Sequence, residues 1–156
     1  MLLYRPRVGT MLPLLGQVNQ KRITVKNLNR LQHLQNKAAR LVYMMPKYTH
    51  TSPLISDLHW LRIPQRIQFK TLTLVFKALH DEAPDYLAEL LHTYHSNYNL
   101  RSSCRTTLEV PRTNKNAADR SFSYIALKLW NSIPKELANH TSTPLFKKHL
   151  KTHLFV

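Results

Sequence analysis

Apolar residues recur along this chain at helical spacing, and prolines divide the pattern into segments. Leu28, Leu31, Leu34, Ala38, Leu41, Val42 and Met45 lie mostly three or four positions apart, which predicts a helix over about 25–45 that Pro46 stops. Lys26, Arg30, His33, Lys37 and Arg40 fall within roughly 80° of one another at 100° per residue, on the opposite side of that helix. The apolar set predicts the packing face, and the basic set the outward one.

Ser52 and Pro53 read as an N-cap and first-turn proline for a short helix to about 58. A connector at 59–64 leads to a second long helix, about 65–80. Ile67, Phe69, Leu72, Leu74, Val75, Phe76, Ala78 and Leu79 make that helix apolar nearly all round. Only Arg66, Lys70, Thr73 and Lys77 form a polar line, so the helix is expected at the centre with one strip reaching water or a ligand. Pro84 opens a short helix at 85–91. The stretch 92–120 is irregular, with one strand expected at 106–110. Tyr124, Ile125, Leu127, Leu129 and Trp130 predict a helix from about 124 that ends before Pro134. Thr143 and Pro144 start a terminal helix with Leu145, Phe146, Leu150 and Leu154 on one side, and Lys147, Lys148 and Lys151 on or beside the other. Residues 1–23, broken by Pro6, Gly9, Pro13 and Gly16, read as a poorly structured lead-in to a basic helical domain at 24–156. The fold class expected is mainly α: an irregular bundle of five to six helices with at most one short strand pair.

Composition adds one strong signal. Twenty-three Lys and Arg oppose eight Asp and Glu, a formal net charge of +15. Residues 1–56 hold nine basic groups and no acid, residues 57–98 carry a net −1, and residues 99–156 a net +7. Such a field favours polyanions, above all nucleic acid, although an anionic membrane or a ribosomal scaffold fits the same number. The 43% hydrophobic content is too high for a disordered polar tail. A lone Cys104 excludes an internal disulfide and a multi-cysteine zinc site, and points to a reducing compartment, nucleus or cytoplasm. No apolar run reaches the length of a membrane span, and no membrane partner is expected. The acid-free start resembles a mitochondrial presequence in charge only, because it runs directly into a helix with a packing face.

Each candidate site has a plain structural alternative. The Lys26–Arg30–His33–Lys37–Arg40 stripe is suited to following a phosphate backbone; a solvated helix face is the alternative, but such faces normally mix signs. Tyr94, His95 and Tyr98, followed by Arg101, Arg105 and Arg112, interleave rings and cations as a base-stacking surface would; tyrosines closing a core edge would look the same. Trp60 and Trp130, each four residues before a proline, read as core anchors rather than stacking platforms. His149 with His153 and His92 with His95 have helical spacing, but neither pair has the further ligands that a zinc site needs. No glycine-flanked serine elbow or phosphate-binding glycine loop occurs, and no small-molecule substrate or cofactor is implied.

The order of short motifs is more specific than any one of them. Leu31-Gln32 and Gln35-Asn36-Lys37-Ala38-Ala39-Arg40 come first, then Leu58-His59-Trp60-Leu61 with Ile63, Arg66-Ile67 and Lys70. Pro84, Tyr86-Leu87, Leu100-Arg101-Ser102 and Val110-Pro111-Arg112 follow. Phe122-Ser123, Leu129-Trp130-Asn131-Ser132-Ile133-Pro134, Phe146-Lys147, Leu150-Lys151 and Leu154-Phe155 complete the series. Over about 28–155 this resembles the region that follows the polymerase in LINE-type, non-LTR retrotransposon reverse transcriptases; residues 1–27 depart from the pattern. In that family an endonuclease and a polymerase palm lie upstream, and the resemblance implies a thumb-like, trailing module that grips nucleic acid. A palm needs paired aspartates to hold two metal ions, and the chain has no Asp-Asp.

The resemblance and the charge together give the expectation of a non-catalytic fragment that holds RNA template or target DNA by its backbone. Lys26, Arg30, His33, Lys37, Arg40, Arg66, Lys70, Lys77, Arg101, Arg105 and Arg112 are the candidate contacts. Two alternatives stand beside it: a helical interaction module that docks on a polymerase core, and a basic host RNA-binding protein.

Overall fold

The computed structural model describes residues 25–94, 107–112 and 121–155. These residues form a helical bundle in which α1 is Val25–Val42, α2 Thr51–Asp57, α3 Ile63–Leu79, α4 Asp85–Ala88, α5 Phe122–Trp130, α6 Lys135–Ala138 and α7 Thr143–Phe155. The mainly α expectation holds. Seven helices stand among the described residues where five or six were expected, because Pro134 opens the single turn of α6 as well as following α5.

The central position expected of α3 is what its pattern produces. It touches α1, α4, α5 and α7, and it buries Gln68, Thr71, Leu72, Val75, Phe76 and Ala78. Phe76 stacks on Phe146 at 4.1 Å between ring centroids, and Trp130 leans against both at 6.5 and 6.1 Å. His80 closes the other side of Phe76 at 4.0 Å and meets the Phe76 carbonyl through Nδ1 at 2.9 Å. Leu127, Leu129, Leu150 and Leu154 belong to the same core, with Leu61, Leu108, Ile125 and Ile133. On α7 the buried positions are Thr143, Phe146, Leu150 and Leu154, whereas Leu145 is exposed, contrary to the expected apolar side. The spacing 146, 150, 154 leaves 145 about 100° away from the core.

The packing face of α1 differs most from expectation. Leu28, Gln35 and Ala39 are its buried residues, while Leu31, Leu34, Leu41, Val42 and Met45 are exposed. The reason lies at the start of α3. There the Leu61 carbonyl and the Ile63 N–H need partners that leucine cannot supply. Gln35 Nε2 donates to Leu61 O at 2.8 Å, and Ile63 N donates to Gln32 Oε1 at 3.0 Å. Gln32 Nε2 in turn donates to Gln35 Oε1 and Asn36 Oδ1, both at 3.0 Å. Ala39, fully buried, adds no bulk at the contact.

With only two glycines in the chain, both before residue 17, helix ends use other residues in the left-handed region. Met44 ends α1 at φ 51°, with Met45 N bonded to Arg40 O and Met44 N to Leu41 O. His59 ends α2 in the same way at φ 51°, with Trp60 N on Ile55 O and His59 N on Ser56 O. Both pairs of bonds have the Schellman pattern. Asp81 takes φ 56° after α3.

Several boundaries shift. α2 begins before Ser52, with His50 at the N-cap and no side-chain cap. α4 ends at Ala88 rather than near 91. α5 starts at Phe122, because Ser121 caps it by accepting from Tyr124 N at 3.2 Å. The strand expected at 106–110 reduces, within the described residues, to one antiparallel bridge between Thr93 and Leu108. Asn131 holds the other edge of that segment: Leu108 N donates to its Oδ1 at 3.0 Å, and its Nδ2 donates to Leu108 O at 2.7 Å.

Candidate nucleic-acid interface

Because α1 packs through Leu28, Gln35 and Ala39, the basic stripe on the far side of the helix faces outward. Lys26, Arg30, His33 and Lys37 are all exposed. Arg40 is half-buried and partly occupied, since its Nε donates to Thr49 O at 3.0 Å and steadies the turn after α1. Arg30, His33, Leu34 and Lys37 line an open depression of about 470 Å3. No acid lies along the chain before Asp57, and Asp57 accepts the Tyr43 hydroxyl. That hydrogen bond, with desolvation and the carboxylate's charge behind it, raises Tyr43 above its ordinary value. The stripe is therefore a field of one sign, with its nearest carboxylate in sequence occupied elsewhere.

A second feature of α1 was not expected. At 100° per residue, Val42, Leu31, Ala38, Leu34 and Leu41 form a strip beside the basic stripe, and all five are exposed. The helix thus has three faces: one packed through glutamines, one basic and one apolar.

The other candidates divide. On α3, Arg66 and Lys70 are exposed, and Lys77 is half-buried. Thr73, on the same line, turns its hydroxyl back to Phe69 O at 2.7 Å. Arg112 and Tyr94 are exposed; His95, Tyr98, Arg101 and Arg105 lie outside the described residues.

The two tryptophans part company as well. Trp130 is buried in the core as expected. Trp60 is half-buried and lines an open depression instead, because its neighbour Leu61 takes the inward position. Arg62 and Ser52 in that depression, joined by a 3.0 Å bond from Nη2 to Oγ, were not among the sequence candidates. The closeness of Arg62 to Trp60 in the chain was the available signal, but the part played by α2 needed the fold.

Among the described residues no three His, Cys, Asp or Glu side chains converge as a metal site would require. His149 pairs with His140, ring nitrogens 2.8 Å apart, rather than with His153. Desolvation lowers His153 below its ordinary value, although its side chain stays largely exposed. No helix among the described residues is long and apolar enough to cross a membrane.

No family model matches the chain, and neither curated proteins nor solved structures gave a match.

Proposed function

We propose that this chain is a non-catalytic nucleic-acid-gripping domain of the kind that follows the polymerase in non-LTR retrotransposon reverse transcriptases. It holds RNA template or target DNA through backbone phosphates. The outward face of α1 carries this reading: Lys26, Arg30, His33 and Lys37 stand exposed in an acid-free stretch of chain. A single-sign face costs self-repulsion unless a polyanion neutralises it. Arg66, Lys70 and Arg112 are secondary contacts.

The test is the salt dependence of binding. Each phosphate neutralised releases about 0.9 counterion on duplex DNA and about 0.7 on a single strand. Four to five contacts give a log-affinity against log-salt slope of about −3 to −4.5. Replacing Lys26, Arg30 and Lys37 with Gln flattens that slope by about two to three units. Arg40 is spared because its bond to Thr49 O ties it to stability. Equal binding by parent and triple variant at every salt concentration refutes the assignment.

The apolar strip of α1 favours a second reading, in which the domain docks on another polypeptide such as a polymerase core. A chain that self-associates through α1 and binds no nucleic acid at any salt concentration supports that alternative.

A further inference from the structure

A depression of about 460 Å3 opens where α2, the 58–62 connector and the end of α7 meet. Its size lies within the range of about 300–1,000 Å3 usual for small-ligand sites. Trp60 and Phe155 supply aromatic wall, and Arg62, Ser52, Ser56 and Gln65 supply polar groups. The chain reversal at His59 makes the site: α2 ends there in the left-handed region, and Leu61 then turns into the core while Trp60 stays half-buried.

The polar groups are held but not used up. Arg62 donates from Nη2 to Ser52 Oγ at 3.0 Å, and its backbone N–H donates to Gln65 Oε1 at 3.1 Å. Of five guanidinium N–H groups, that first bond takes one. The Gln65 bond uses its carbonyl oxygen, which leaves the amide NH2 able to donate. Among the described residues no acidic side chain lines the depression. Flat rings beside a positioned planar cation, with hydroxyl and amide groups at the edge, match a nucleobase and its phosphate better than an aliphatic or peptide ligand.

We infer that this depression takes one unstacked base of a single-stranded nucleic acid, the base resting on Trp60 and the adjoining phosphate held by Arg62. The inference rests on the nucleic-acid reading above and adds a preference to it. Bases inside a duplex have both faces covered, so duplex can use the α1 stripe but not this site.

The experiment uses the full chain with two probes, a single-stranded oligonucleotide and a hairpin duplex of equal phosphate number. Single strand quenches Trp60 emission, whereas Trp130, buried in the core, supplies a constant background. Trp60→Leu lowers single-strand affinity roughly ten- to hundred-fold. It leaves duplex affinity and the salt slope unchanged, and Trp60→Phe retains most of the binding. A third probe, adenosine monophosphate, shifts the Trp60 indole resonance in the parent and equally in the Lys26, Arg30 and Lys37 triple variant. That result upholds the pocket even where the stripe reading fails, and it does not depend on a Trp60 variant folding. Two outcomes overturn the inference. One is an unmoved Trp60 resonance with adenosine monophosphate and single strand alike. The other is a shift with an acidic peptide and none with adenosine monophosphate, which makes the site a protein-docking surface.

Discussion

The orientation of α1 decides which of its faces any partner meets, and substitution along the helix tests it directly. Gln35 is buried and gives its Nε2 to the Leu61 carbonyl at 2.8 Å. Gln35→Ala removes that donor from a buried hydrogen bond and leaves the carbonyl without it, a cost of about 1–3 kcal/mol. The better helix propensity of alanine returns only a few tenths of a kcal/mol. Gln32 also loses an acceptor, but its amide keeps the Asn36 bond. The net expectation is a loss of about 1–2.5 kcal/mol.

The leucines of the exposed strip behave oppositely. Leu34 keeps 60% of its surface open and Leu41 79%. Truncating either to Ala removes little buried area, and each change costs about 0.5 kcal/mol or less. Leu28, at 5% exposure, is the internal control: Leu28→Ala costs about 2–5 kcal/mol. Urea unfolding followed by circular dichroism measures all four, with an unchanged m-value required for the comparison. If Leu34→Ala and Leu41→Ala each cost more than Leu28→Ala, or if Gln35→Ala is neutral, α1 packs through its leucine strip. The three-faced description is then wrong.

Three further outcomes follow from other contacts. Met44→Gly and His59→Gly each raise stability by about 0.5–1 kcal/mol in the same unfolding assay, because glycine enters the left-handed region at little cost. Asn131→Ala strips both hydrogen bonds from Leu108 and costs about 2 kcal/mol, with faster amide exchange at Leu108 as its local signature. Tyr43 titrates above 10 by NMR, and Asp57→Asn brings it down. Its folded value is the higher one, so the Asp57 bond contributes in full below the unfolded value and fades as pH rises through the folded one.

The helices were legible because periodicity and proline both report local geometry. The central place of α3 could be read from its near-complete apolar circumference, and the core role of Trp130 from its ring and its proline corner. The face of α1 could not. Hydrophobicity assigns leucines inward and glutamines outward, and here the rule fails because the start of α3 offers unpaired backbone groups that only polar side chains satisfy. That demand comes from residues 61–63, about thirty positions away, and no local window contains it. Trp60 was misplaced for a related reason. Sequence shows that a tryptophan stands at a corner, but which of Trp60 and Leu61 turns inward depends on the left-handed turn at His59. A non-glycine residue in that region carries no sequence mark.

The basic stripe survives this revision, and the reason bears on function. Rotating the packing face of α1 from the leucines to Leu28, Gln35 and Ala39 moves it by roughly 90°, on the 3.6-residue repeat. The basic residues lie opposite the face that packs, so Lys26, Arg30, His33 and Lys37 are exposed after the rotation. The leucines are what the rotation releases. An apolar strip beside a single-sign charged face is costly to leave in water on both counts, through exposed hydrocarbon and through self-repulsion. Two partners meet these costs together if a nucleic acid brings phosphates to the stripe while a second polypeptide covers the leucines. The two readings of α1 are then not exclusive. A stripe variant flattens the salt slope, and polar substitutions at Leu34 and Leu41 abolish docking without changing that slope. If those leucine substitutions alter the slope, the strip and the stripe bind as one surface, and the division of α1 into separate working faces fails.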